Sequence, residues 1–404
     1  MKVNKVKILW ISLNAPTSKS DKAGGNTFNY YFRSFYNDDR FEVKVIAQIN
    51  NGLPLMPLQN GDYFYLHRKS GIAAKMQRLS SIESKFNPWN RNANLISNQM
   101  ESFVKDKIRY LKRQGFEPDI VILEWTQCVV LAREVKKLCP SARIVASEHD
   151  VTYVGYSRKV EYYSGISKWI WKFKYKWERK IELRALQECD LILPQNADNK
   201  KILAKEEIPE NRIQWLVPYF NDLSKCERNP NERDILFFGA MARPENYLSA
   251  IWFIDNVMPL LEDMNIRFVI LGSNPPNELK RLESNRILIT GFVDSIVPYF
   301  ENAMCLVAPL VLGAGIKVKI IEALSSGIPV LTNDIGIEGI SAKDGQEYIH
   351  CTSPQEYECA IRKIFDDPSI GERMCTNAKA FIEQNYSINS SLTKYKDRLI
   401  RLGE

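Results

Sequence analysis

Residues 304–332 constrain the fold of this chain more than any other stretch. An apolar run from Met304 to Leu310 meets a glycine-rich turn around Gly313, Ala314 and Gly315. Ile316-Lys317-Val318-Lys319-Ile320-Ile321-Glu322 follows, and a second apolar run ends at Thr332. The pattern predicts a strand, a tight turn, a helix over 315–325 ending near Gly327, and a second strand over 329–332. Two lysines in the first turn of a helix are misplaced, because the helix dipole is positive there. They make sense if an anion docks on the open backbone N–H groups and the lysines close around it. Glu322 falls one turn beyond Lys319 on the same face, where a carboxylate can take two hydroxyls of a sugar ring. Phosphate held by N–H groups and lysine, with ribose held by a carboxylate, describes a nucleotide-diphosphate site. The alternative is a plain strand–turn–helix with solvated lysines.

At 404 residues the chain is too long for one ordinary core, so two domains are expected. Strand and helix alternate in both halves. Strands are predicted at 6–11, 43–49, 119–125, 143–147 and 191–194, then at 235–239, 267–271, 286–290, 304–309 and 329–332. Helices are predicted between them at 27–36, 92–112 and 127–137, then at 247–260, 277–283, 295–302 and 315–325. Continuous apolar strands between helices imply α/β architecture, with parallel sheets covered on both faces. Residues 217–234, rich in Asn, Pro, Arg and Glu, read as the linker. From Pro354 onward the pattern is all helical. Ligands of open parallel sheets bind beyond the carboxyl ends of the strands. Every candidate residue lies at such an end, which leads us to expect one cleft between two facing domains.

Composition narrows the class. Hydrophobic content is 45% and charged content 25%, ordinary for a globular protein. The first eleven residues carry three lysines and only a short apolar run, which reads as a first strand and not as a signal peptide. No apolar stretch approaches the roughly 18 residues of a membrane span. The eight cysteines include no C-x-x-C pair, so free thiols in a reducing cytoplasm are expected. A net charge of +7 suits anionic substrates or an anionic membrane surface and is too weak to argue for nucleic acid.

Other segments add candidates. Gly24 and Gly25 precede the helix expected at Thr27 and allow close backbone approach to a ligand. The dinucleotide fingerprint G-x-G-x-x-G is missing there. His149 follows Ser147-Glu148 at the end of a strand, alone among the three histidines in that respect, and can bond a sugar hydroxyl or phosphate. Gly239, Ala240 and Arg243 follow the first strand of the second half, and Arg243 can clamp a diphosphate with its fork. Gly291, Phe292 and Val293 end another strand and could receive a flat base, although core packing is the simpler reading. Residues 157–184 interleave Trp169, Trp171, Phe173, Tyr175 and Trp177 with Lys168, Lys172, Lys174 and Lys176. In helical projection Ile166, Ile170, Phe173, Trp177 and Ile181 share a face. Such a helix can lie on an anionic membrane, or it is a long helix with one buried face and a solvated lysine face. No P-loop, H-E-x-x-H motif or metal-spaced Cys/His cluster is present, nor an Asp-x-Asp pair for a Mg²⁺–diphosphate site. Cations and a helix terminus would have to carry the leaving-group charge.

These residues resemble the donor-binding half of retaining glycosyltransferases with the GT-B fold, close to glycosyltransferase family 4. The matching pieces are Phe-Phe-Gly-Ala-Met-Ala-Arg-Pro-Glu-Asn at 237–246, Val-Ile-Leu-Gly at 269–272, Gly-Phe-Val at 291–293 and the run at 308–323. Gly327-Ile-Pro-Val and Gly336-Ile-Glu-Gly complete them. The first half matches more loosely, through Gly24-Gly25, Glu148-His149-Asp150 and Trp177-Glu178. The resemblance implies two Rossmann-like domains, 1–217 on the acceptor side and 218–386 on the nucleotide-sugar side. A last helix, 387–404, would cross back onto the first domain. It implies that Glu322 binds ribose. Gly315, Ile316 and Lys317 would hold the diphosphate with Arg243 opposite and Lys319 nearby, while Gly239 and Gly291 to Val293 line the nucleotide. Gly24 and Gly25 would approach the diphosphate from the other domain, and His149 the donor sugar. One departure stands out: eight positions before Glu322, where the family has a second glutamate, this chain has Ala314.

The expected reaction is transfer, with retention, from a nucleotide-diphosphate sugar to a saccharide or lipid-linked saccharide hydroxyl, without metal or other cofactor. Arg243, Lys317 and the helix N-terminus would stabilise the departing diphosphate, with His149 near the reacting sugar. Bacterial surface polysaccharide or glycoconjugate assembly is the expected setting. The expected location is the cytoplasm, peripheral on the inner face of the cell membrane. A sugar-nucleotide epimerase of the same fold and a non-catalytic binding subunit are the competing readings.

Overall fold

A computed structural model describes residues 5–18, 23–49, 53–67, 95–230, 233–313 and 315–404. Its contacts divide the chain into two units, Met1–Tyr219 with Ile388–Glu404, and Phe220–Ser387.

The first unit is built on strands β1 (Val6–Ser12), β2 (Phe41–Ile49), β3 (Tyr63–His67), β4 (Ile120–Glu124), β5 (Arg143–Glu148) and β6 (Leu191–Pro194). All pair in parallel, in the order β3-β2-β1-β4-β5-β6. Successive side chains of a strand point to opposite faces, and β1 uses both. Ile8 and Trp10 pack with Phe28, Phe32 and Phe35 of the helix Ala23–Tyr36. Leu9 and Ile11 pack with Met100, Val104 and Ile108 of the helix Asn98–Arg113. The last helix, Ile388–Gly403, belongs to this unit: Tyr395 and Leu399 are buried with Ile8 and Trp10. Lys396 pairs with Asp38 at 2.8 Å.

The second unit repeats the plan with β7 (Asp234–Phe238), β8 (Arg267–Leu271), β9 (Ile287–Gly291), β10 (Cys305–Ala308), β11 (Val330–Thr332) and β12 (Ile349–His350), in the order β12-β11-β10-β7-β8-β9. Counted within its own unit, each sheet has the strand order of a doubly wound dinucleotide-type domain, with a switch point between its first and fourth strands. These are two Rossmann-like sheets, as the alternation predicts.

Several expectations are corrected. Strands β3 and β12 escape the sequence reading. With them, all three histidines stand at or just past the carboxyl end of a strand, since His67 ends β3 and His350 ends β12. The helix expected at 27–36 starts at Ala23, so Gly24 and Gly25 lie inside its first turn. The helix expected at 127–137 is two, Thr126–Val129 and Ala132–Leu138. The single helix expected at 157–184 is a hairpin, Thr152–Tyr162 and Gly165–Gln187, broken where Gly165 takes φ of 58°. Residues 92–94 of another expected helix lie outside the described residues. So do 231–232 of the expected linker, whose earlier part is not loose. Phe220, Leu223 and Cys226 are buried, and the Leu223 N–H donates to Ser325 Oγ at 3.0 Å. All eight cysteines are unpaired.

Candidate functional site

In the second unit the switch point lies between β7 and β10, and the predicted cations gather at its carboxyl edge. The helix there starts later than expected, at Val318, with Lys317 as its N-cap. Gly315 sits at φ of 74°, a left-handed conformation that cannot open an α-helix. Only Lys319 therefore stands in the first turn. The Lys317 ammonium folds back onto the Gly315 carbonyl and lies 3.5 Å from Glu338. The preceding loop is fastened on two sides, by the Val311 N–H to Ser249 Oγ at 3.2 Å and by Asn333 Nδ2 to the Leu310 carbonyl at 2.9 Å. Ala314, where the family's glutamate is replaced, lies outside the described residues.

Lys319 is the centre of the cluster. Its Nζ donates to Asn246 Oδ1 at 2.9 Å and lies 4.7 Å from the centroid of the Phe237 ring. The side chain as a whole is half-buried, but its ammonium end is enclosed. Burial, then the charges of Lys317 and Arg243, bring its pKa down to about 7. Three cations thus share one small region. Arg243 caps the helix Pro244–Asn256, is mostly exposed, and pairs with Glu245. Gly239 immediately follows β7, and a Cβ there would stand 2.8 Å from Asn246 Nδ2.

Glu322 lies on the helix Val318–Ser326 with Lys319, nearly buried, with Oε1 accepting from the Asn221 N–H at 3.0 Å and from Asn221 Nδ2 at 2.8 Å. Burial outweighs these bonds and raises its pKa to about 7. Gly291 ends β9. Phe292 beyond it is 75% exposed, which overturns the core-packing reading and leaves a flat apolar ring open at the sheet edge. Val293 and Ile316 are half-buried.

The first unit has a different edge. The His149 Nε2 lies 2.5 Å from Glu124 Oε1, which also accepts from Ser147 Oγ at 2.9 Å. Glu124 Oε2 accepts from Trp10 Nε1 at 2.8 Å. With Nε2 committed to a carboxylate, Nδ1 is the histidine's remaining polar atom, and it is buried without a partner. The ring stacks on Trp125, centroids 4.9 Å apart. Trp125 itself has φ of 64°, an unusual conformation for a bulky residue, immediately after β4 at this sheet's switch point. Gly24 is brought directly to this pair: a Cβ there would stand 3.0 Å from His149 Nδ1. Gly25 adjoins it in the same helical turn.

Beside His149 lies a set of protonatable carboxyls. Thr126 Oγ1 donates to Glu148 Oε2 at 2.7 Å. Burial, then the neighbouring Glu182, pushes the Glu148 carboxyl well above the usual range. Burial raises Glu182 to about 8, although it accepts the N–H groups of Thr152 and Tyr153 at 2.8 and 3.0 Å.

The comparisons with known proteins bear on the second unit most directly. Residues 232–367 match the family model for glycosyl transferases group 1. A Klebsiella pneumoniae protein described as an uncharacterized 44.6 kDa protein in the cps region is 26% identical over 205 residues, 47% of this chain and 53% of that protein. The chain thus spans about half the length of this curated relative. Among solved structures, Anabaena Alr3699/HepE in complex with UDP aligns with 98% of this chain and 100% of its own, at a TM-score of 0.67 and 12% identity. Sucrose-phosphate synthase from Thermosynechococcus elongatus aligns with 98% and 99%, at 0.69 and 11%. The fold is that of the GT-B glycosyltransferases, and the resemblance read from the sequence holds at the level of that fold and of glycosyl transferases group 1.

Against that background, three residues were not singled out from the sequence. Glu124 shows there only as an acid closing an otherwise apolar strand, Ile-Val-Ile-Leu-Glu. Asn221 sits in a segment that reads as linker. Glu338 lies in the Gly336-Ile-Glu-Gly piece but carried no assigned role.

Proposed function

We propose that this chain is a retaining glycosyltransferase that moves a sugar from a nucleotide-diphosphate sugar to an acceptor hydroxyl. The carrying observation is the convergence of Lys317, Lys319 and Arg243 at the second switch point, where burial and then mutual repulsion bring the Lys319 pKa down to about 7. Such a cluster is relieved by a bound anion. Lys317, Lys319, Arg243 and the amides at the start of the helix Val318–Ser326 bind the diphosphate and stabilise it as it departs with the electrons of the anomeric C–O bond. Glu322 takes the ribose hydroxyls, and Phe292 stacks on the base. In the first unit, Glu124 fixes the His149 tautomer so that Nδ1 serves a sugar hydroxyl. Fixed cations supply the counter-charge, so the reaction needs no metal.

UDP-sugars are the first donors to test, because the Anabaena neighbour is described in complex with UDP and with UDP-glucose. The location of the Klebsiella relative in a cps region supports surface-polysaccharide assembly. A lipid-linked saccharide on the inner membrane face is the proposed acceptor, and no described helix is long and apolar enough to cross a membrane. The test incubates the protein with a panel of nucleotide sugars and saccharide or lipid-linked acceptors. Released nucleoside diphosphate is measured, and the product anomer is read by NMR. Acceptor-dependent release with retained configuration is expected. Acceptor-independent conversion of the donor, or no turnover with any pair, overturns the proposal.

A further inference from the structure

The helix Gly165–Gln187 has two unlike halves. Its C-terminal half is built into the first unit. Glu182 holds two backbone N–H groups of Thr152 and Tyr153, Ala185 and Leu186 are buried, and Arg179 pairs with Glu206. One face of its N-terminal half covers nothing. Ile166 is 82% exposed, Trp169 75%, Ile170 46% and Phe173 62%. Those four positions are i, i+3, i+4 and i+7, one continuous stripe on the helix. With Tyr163 they make five of the eleven large apolar residues left exposed among the described residues, all within eleven positions. Part of the face expected to be buried is therefore the most exposed apolar surface described.

Charge is arranged around the stripe. Between Ser164 and Trp177 there are four lysines and no acid. In projection Lys172 and Lys176 flank one side of the stripe and Lys174 the other. The base of the tip is stiffened by aromatic packing: Trp171 stacks on Tyr163 at 5.9 Å, with Lys159 and Lys174 lying 4.4 and 4.6 Å from its ring centroid. A rigid apolar stripe with tryptophan in it and cations on both flanks matches the boundary between acyl chains and anionic headgroups. A protein partner would need acids placed to meet each lysine, whereas a lipid surface meets them without fixed register.

We propose that the tip of this hairpin, Ile166, Trp169, Ile170 and Phe173 with Lys172, Lys174 and Lys176, docks the protein on an anionic lipid bilayer. The hairpin's first helix begins at Thr152, three residues past His149, so it springs from the same sheet edge as the histidine. Docking there brings lipid headgroups to the edge that the proposed function assigns to the sugar. The docking itself does not depend on that function.

Flotation of the full chain with vesicles tests it, using mixed phosphatidylglycerol–phosphatidylcholine against pure phosphatidylcholine. Flotation with the anionic vesicles alone, weakened by salt, is expected. Trp169→Glu with Phe173→Glu should cut it by about tenfold or more, and Lys→Gln at 172 and 176 should weaken the preference for anionic lipid. Both variants should keep the parent's thermal midpoint and nucleotide-induced shift, because the altered side chains are exposed. Absence of flotation, or flotation unchanged in the double-glutamate variant, overturns the proposal. A concentration-dependent dimer that the same variant abolishes would assign the stripe to a second copy of this chain instead.

Discussion

The two sheets share one strand order, yet their carboxyl edges carry opposite chemistry. At the switch point of the second unit, three cations crowd together and burial lowers the pKa of Lys319. Near that of the first, Glu124 holds a histidine, Glu148 and Glu182 meet at Thr126 close by, and burial favours the protonated form of those two. Identical topology therefore says where a ligand sits but not what kind it is. The side chains decide that. A cationic edge is incomplete without an anion, whereas a proton-rich edge with a free imidazole nitrogen suits neutral hydroxyls.

The sharpest way to break this division is to cut each edge separately. Arg243→Ala should lower turnover by about a hundredfold and weaken nucleoside-diphosphate binding, while the thermal midpoint hardly moves because the side chain is mostly exposed. Glu124→Gln should lower turnover by roughly tenfold to a hundredfold but leave nucleotide affinity unchanged in calorimetry. It should also cost about 1–3 kcal/mol of stability, since an amide nitrogen would face the Trp10, Ser147 or His149 donor. Loss of nucleotide affinity in Glu124→Gln would collapse the division.

Glu182 and Lys319, one from each edge, should answer pH in opposite senses. Glu182 holds a proton in the folded state up to about pH 8, which the unfolded chain releases near 4.5. Its contribution to stability is full below 4.5 and is lost as pH climbs to about 8. Lys319 is the reverse. The unfolded chain keeps that proton to about 10.5 and the folded one only to about 7, so stability rises across that interval. In chemical denaturation at a series of pH values, Glu182→Gln should flatten the first slope and Lys319→Met the second. Unaltered slopes would show that these groups titrate normally in the fold.

The smallest expected effect is that of Gly24→Ala. A Cβ at 3.0 Å from His149 Nδ1 must displace the ring slightly, so turnover should fall about threefold. Alanine is the better helix former by roughly 0.5–1 kcal/mol, so stability should hold or rise. A stability loss with unchanged turnover would make that approach mere packing.

The sequence reveals these two edges unequally. The cationic edge is legible because its parts are contiguous: an apolar strand, glycines, lysines and a glutamate at helical spacing within about twenty residues. Even there the helix start is misjudged, since Gly315's backbone conformation is not written in its neighbours' polarity. The histidine edge is assembled from β1, β4, β5 and the first helix, so Glu124 looks like a strand's polar end until Trp10, Ser147 and His149 converge on it. Strand β12 has two residues, too few for any alternation to show. Strand β3, Tyr-Phe-Tyr-Leu-His, is a half-exposed edge without the apolar run of a central strand. Asn221 is hidden for a third reason. Its segment has the composition of a linker, and only its bonds to Glu322 show that it belongs to the second unit.

The most direct test of the central claim is isothermal titration of the purified chain with nucleoside diphosphates, UDP first, in parallel with the Glu322→Ala variant. The account predicts that one nucleoside diphosphate binds without added acceptor and that the variant binds it at least about tenfold more weakly. Equal affinity in the variant, or no binding by any nucleoside diphosphate, would contradict it.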